Sequence, residues 1–177
     1  MSATKNITVS FELNGEKFDN VIVPARQHLA DYLRGEGFTG THLGCEQGAC
    51  GACTIEMDGK AVRSCLVLAS QVNGSLIKTV EGFDDDIMKI VKNNFLKHNA
   101  FQCGFCSPGM LMTTKEIVLK KKKLTREEIR SEISGNYCRC TGYQSIVDAI
   151  EESITEVIWG KKMDDIKVNQ NPKLGSF

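Results

Sequence analysis

Between residues 7 and 13 the chain alternates: Ile7, Val9, Phe11 and Leu13 are apolar and the residues between them are polar. That period of two marks a strand with one buried face. Asn14-Gly15 follows, and both residue types tolerate the positive φ of a type I′ hairpin turn. A second strand is therefore expected around Phe18–Val23, ended by Pro24. Residues 27–34 read as a short helix with Leu29, Tyr32 and Leu33 on one side, closed by Gly35 and Gly37. After a glycine-rich loop at 40–53, Asp58-Gly59 joins two further strands, Thr54–Met57 and Ala61–Val67. Ser75–Val80 makes the last one. Strands wrapped around one short helix predict a small α+β domain of the β-grasp kind.

Near residue 84 the period lengthens to about 3.6. Asp84–Asp86 suits the positive end of a helix, and Ile87, Ile90, Val91 and Phe95 form its apolar face. Ser107-Pro108 predicts a hydroxyl N-cap with proline at the first helical position. Met110, Leu111, Thr114 and Ile117 then face inward, up to Lys120–Lys123, which reads as a solvated helix end rather than a binding patch. Thr125 and Glu128 fit a capping box ahead of Ile129 and Ile133. A fourth helix carries Ile146, Val147, Ile150, Ile154 and Val157. Short connections between four helices predict a compact bundle. The expected organisation is thus a β-grasp domain over 1–81, a helical bundle over 82–160 and an extended tail over 161–177.

Composition narrows the function classes. Lys plus Arg number 22 and Asp plus Glu 22, so the net charge is zero, and gripping nucleic acid as a main role is excluded. Hydrophobic residues make up 41%, too many for a disordered chain, and no apolar run approaches the ~20 residues of a membrane helix. The N-terminus, Met1–Asn6, leads straight into the first strand without an apolar signal core, so the chain is expected to be cytoplasmic. There, clustered cysteines hold metal or do redox chemistry more often than they form structural disulfides.

The eight cysteines divide between the two expected domains. Cys45, Cys50 and Cys53 have the spacing C-x4-C-x2-C, with Cys65 downstream, which is the plant-type pattern for a 2Fe–2S cluster. Gly44, Gly48 and Gly51 interleave with these ligands and let backbone N–H groups approach the sulfurs of an anionic cluster. A four-cysteine zinc site is the alternative, but zinc usually takes two compact pairs. Cys103, Cys106, Cys138 and Cys140 form C-x2-C and C-x-C, a pattern that leaves both metals open. Cys106 and Cys140 precede helix starts, where free N–H groups favour bound thiolates.

Gln102-Cys103-Gly104-Phe105-Cys106-Ser107-Pro108-Gly109-Met110 and Gly135-Asn136-Tyr137-Cys138-Arg139-Cys140-Thr141-Gly142-Tyr143 resemble the paired signatures of the xanthine oxidase family of molybdenum hydroxylases. Gly44-Cys45 through Cys53-Thr54 is similar to that family's ferredoxin-like loop. The resemblance spans residues 6–158. It implies the small iron–sulfur subunit of an αβγ-type hetero-oligomer, which can itself dimerise. In that family a large subunit binds molybdopterin and hydroxylates the substrate, and a medium subunit binds FAD. The small subunit's two 2Fe–2S clusters pass single electrons from molybdenum to flavin. By the same resemblance the helical-domain cluster lies beside the pterin, Gln102 hydrogen-bonds the pterin, and Cys140 is the ligand nearest to it.

The chain has no G-x-x-x-x-G-K-S/T phosphate loop. His28, His42 and His98 are scattered and expected at the surface, although His42 is close enough to the first loop to donate a hydrogen bond there. Arg139 could offset cluster charge or meet a partner, and Trp159 could be core or an interface anchor. No catalytic constellation is present. A free-standing two-cluster carrier and a structural zinc module are the competing readings.

Overall fold

The computed structural model describes residues 5–160. Strands β1 (Asn6–Leu13) and β2 (Glu16–Pro24) pair antiparallel across Asn14 and Gly15, whose φ angles of 54° and 87° are what the turn requires. Asp58 and Gly59 do the same between β3 (Thr54–Met57) and β4 (Lys60–Arg63). With β5 (Leu76–Lys78) the sheet order is β2-β1-β5-β3-β4, and β1 runs parallel to β5. Helix α1 (Leu29–Gly35) packs Leu29, Tyr32 and Leu33 onto Val9, Phe11, Leu13, Ile55 and Ile77.

Two strands are shorter than the pattern predicts. β5 covers only the middle of 75–80, and the strand expected to reach Val67 ends at Arg63. For the second of these the cause is local to the cysteine loop. Ser64 Oγ and Ser64 N–H both donate to the Cys53 carbonyl, at 2.7 and 3.3 Å. They fold Ser64–Leu66 into a single 3₁₀ turn that buries Cys65.

The helical half comprises α2 (Asp86–Lys97), α3 (Ser107–Leu119), α4 (Arg126–Glu132) and α5 (Gln144–Trp159). Asp85 caps α2 by accepting from Met88 N–H at 2.9 Å, and the Thr125–Glu128 box closes in both directions. Ser107 differs from expectation: Cys106 is the N-cap of α3, and the Ser107 hydroxyl is buried with no partner among the described residues. Met88, Val91, Phe95, Met110, Ile117, Ile133, Ile146 and Ile150 fill the bundle core. Lys120 and Lys122 sit at the exposed end of α3 near Glu132 and Glu128. Trp159 is 70% exposed, so it is not part of the core. Among the described residues no helix is long and apolar enough to cross a membrane. The tail expected over 161–177 lies outside the described residues.

α2 and α5 are joined by Asn94 to Ser153 and by Lys97 and His98, which both reach Glu152. Burial pushes the Glu152 carboxyl up, but the hydrogen bonds from Lys97 and His98 outweigh it and hold it below its ordinary value. A depressed carboxyl contributes fully above the ordinary carboxyl range, about 4, and that contribution is lost as pH falls through the lowered value. Glu152→Gln is therefore expected to flatten the acid limb of a plot of melting temperature against pH. An acid limb as steep as the wild type's would show that this cluster does not set it.

Candidate metal centres

The first cysteine loop enters β3 through left-handed backbone at Glu46, Gly48 and Gly51. The loop curls its amides around Cys45. N–H groups of Gln47, Cys50 and Ala49 point at that sulfur, Cys50 N at 3.3 Å, and pull the thiol down to about 7. The Cys50 thiol lies beside Cys45 and adds to the lowering. Gly44 leaves room for this pair, since a Cβ there would lie 3.2 Å from Cys50 Sγ. Cys53 and Cys65 are both buried, with their thiols side by side. Burial, followed by Cys53, pushes the Cys65 thiol up to about 11, and the charge of Cys45 reaches it as well. The first quartet is thus two sulfur pairs, Cys45 with Cys50 and Cys53 with Cys65.

The second quartet repeats the arrangement on a helical scaffold. Cys103 and Cys140 are exposed with their sulfurs 3.5 Å apart. Cys106 and Cys138 are half-buried, with their thiols side by side. Burial, then Cys138, pushes the Cys106 thiol up to about 12. Burial also acts upward on Cys138, but the Thr141 hydroxyl at 3.1 Å and the N–H groups of Thr141 and Cys140 bring it below its ordinary value. Tyr143, at φ 67°, turns its hydroxyl back to accept from Cys138 N–H at 2.8 Å. Gln102 is exposed beside Cys103.

All eight thiols are free. Two sulfur pairs per quartet match the donor set of a two-iron cluster, in which each iron takes two thiolates. A zinc site instead needs four sulfurs around one point. The structure also gives roles to residues that the sequence left without one. Arg63, Thr113 and Asn136 hydrogen-bond where the two quartet loops meet, and Thr141 and Tyr143 hold Cys138. His42 donates not to its own loop but to the Phe105 carbonyl at 2.7 Å, and it stacks on that ring.

Residues 11–79 match the 2Fe-2S iron-sulfur cluster binding domain, and residues 79–151 match the 2Fe-2S binding domain. The chain is 48% identical to the nicotine 6-hydroxylase small subunit of Paenarthrobacter nicotinovorans, over 84% of this chain and 90% of that protein. It is 41% identical to the xanthine dehydrogenase iron-sulfur-binding subunit of Escherichia coli, over 85% of this chain and 96% of that one. The chain belongs to the iron–sulfur subunit family of xanthine oxidase-type molybdenum hydroxylases. The iron–sulfur subunit also superposes on the crystal structure of quinoline 2-oxidoreductase from Pseudomonas putida 86 with a TM-score of 0.80 and 43% identity, covering 89% of this chain and 99% of that one. Its α+β fold, sheet first and helices second, and its complement of two 2Fe–2S clusters follow the family.

Proposed function

We propose that Cys45, Cys50, Cys53 and Cys65 hold one 2Fe–2S cluster of the subunit, and that Cys103, Cys106, Cys138 and Cys140 hold the other. The subunit is the electron carrier of a multi-subunit oxidoreductase. Its electrons come from the molybdopterin centre of a large subunit and go to FAD on a medium subunit. The carrying observation is the sulfur pairing within each quartet, with one pair of the second quartet, Cys103 and Cys140, open at the surface. Each cluster, when bound, takes up and releases a single electron.

The chain's own residues prepare for negative charge and for contact. Amides of the first loop converge on Cys45, while Thr141 and Tyr143 fix Cys138. Gln102 and Cys140, both exposed, are the residues that meet the pterin. The first cluster belongs to a unit over 1–81 and the second to a unit over 82–160, and the complex works in the cytoplasm.

The purified complex is expected to carry about four irons on this chain and to show two distinct reduced-cluster signals in electron paramagnetic resonance. Zinc in place of iron, or a single signal, would overturn the assignment. Isolation as a stable monomer with no large partner would favour a free-standing carrier instead.

A further inference from the structure

The two halves meet backbone to backbone at the cysteine loops. A Cβ on Gly109 of α3 would lie 2.1 Å from the Gly51 carbonyl oxygen, and one on Gly51 would lie 2.4 Å from the Gly135 carbonyl oxygen. Main chain cannot swing aside as a flexible side chain can, so these glycines press the segment between Cys50 and Cys53 onto the approaches to Cys106 and Cys138. Asn136, 2% exposed, fills the corner. Its Nδ2 donates to Gly51 O at 3.3 Å, and its Oδ1 accepts from Thr113 Oγ1 at 3.0 Å and Arg63 Nη2 at 3.3 Å. Arg63 also donates to Gly135 O at 2.9 Å and to Thr54 Oγ1 at 2.5 Å.

One residue beyond Asn136, the Tyr137 N–H donates to the Cys50 carbonyl at 2.8 Å. Apart from the Gly82–Thr79 turn at the junction of the halves, no other backbone–backbone hydrogen bond among the described residues links the sheet half to the helical half. It joins a cysteine of the first quartet to the residue that immediately precedes a cysteine of the second. The His42–Phe105 contact also crosses between the halves, but it reaches Cys45 only through further residues of the loop.

We propose that the Tyr137 N–H to Cys50 C=O hydrogen bond is the electronic bridge between the two cluster sites, and that Asn136 and Arg63 are the positioning residues that hold it. The proposal rests on the cluster assignment above. An electron crossing the bridge leaves the second site oxidised and the first site reduced, with no bond made or broken and no proton moved. A hydrogen bond couples better than an open gap, and the glycine contacts keep the donor and acceptor peptides from drifting apart.

The test uses the assembled complex. Tyr137→Pro removes the donor, whereas Tyr137→Phe keeps it and alters only the tip of a side chain that is largely exposed. Asn136→Ala removes that residue's contacts to Gly51, Thr113 and Arg63 without touching the bridge itself, and leaves the Arg63 bond to the Gly135 carbonyl in place. Iron content and the two reduced-cluster signals first establish that both sites are filled, so loss of the cluster assignment would be seen separately. With both signals present, the magnetic splitting between the two reduced clusters is expected to shrink in Tyr137→Pro and Asn136→Ala. Reduction of the first site through the second is expected to slow severalfold in both, while Tyr137→Phe behaves as wild type. Wild-type splitting and rate in filled Tyr137→Pro and Asn136→Ala would overturn the bridge. If Tyr137→Pro does not take up iron, Asn136→Ala decides on the same two readouts.

Discussion

Cys106→Ser is expected to leave the chain with one cluster and stop electrons from crossing it. Cys106 is the N-cap of α3 but makes no side-chain capping bond, so the helix does not depend on its sulfur. Its partner is Cys138, and the pair is the more buried half of the second quartet. Serine puts a harder oxygen donor on a shorter bond where iron–sulfur sites take thiolate. Iron is expected to fall from about four to about two per chain, with one of the two reduced-cluster signals gone. The first signal is expected to persist because its four cysteines lie on the sheet side of the molecule, with Cys53 and Cys65 buried beside Ala30 and Leu43. Turnover with a flavin-dependent acceptor is expected to drop by more than about 100-fold, since removing even the residues that support a ligand costs about 10–100-fold. Unchanged turnover would show that electrons do not need the second site.

Where a feature was readable from the sequence, its cause was local. Asn14-Gly15 and Asp58-Gly59 take positive φ whatever surrounds them, so both hairpins stand where they were expected. Asp85, Thr125 and Glu128 cap helices whose N–H groups lie three residues away. The cysteine spacings work the same way, because a loop that must present three thiols has little freedom. What escaped the pattern is held across the chain. Arg63 and Gly135 are 72 positions apart, and Asn136 and Gly51 are 85 apart, so no window of sequence shows them as partners. Ser107 looked like a cap because hydroxyl-then-proline is a common helix start, but Cys106 takes the capping position. Cys65 looked like a strand residue because Ala61–Val67 is rich in apolar and β-branched residues. The Ser64 bonds to the Cys53 carbonyl end that strand early, and they depend on where Cys53 already is.

Lys115 is the residue whose role the local pattern hid most completely, and its removal is expected to be the costliest change outside the cysteines. It lies in the run Thr113-Thr114-Lys115-Glu116, which would suit a solvated helix face, yet its side chain is 8% exposed. The ammonium sits 3.2 Å from Glu56 on β3, 2.9 Å from Asp85 and 3.6 Å from the centre of the Phe83 ring. It therefore ties the strand that leaves the first cysteine loop to the helix that begins at Cys106. Breaking a buried pair by deleting one member strands the other charge, at a typical cost of 3–5 kcal/mol. Asp85 is partly solvated and can turn to water, whereas Glu56 is enclosed, so about 3 kcal/mol is expected for Lys115→Ala. Lys115→Met keeps most of the stem packing and isolates the charge effect. Pairing it with Glu56→Gln removes the stranded carboxylate and is expected to recover most of the loss. Denaturant unfolding of the holoprotein, run as a double-mutant cycle, reads both numbers. If Lys115→Met alone is as stable as wild type, the ion pair does not clamp the halves, and the glycine contacts at Gly51 and Gly109 carry that alignment without it.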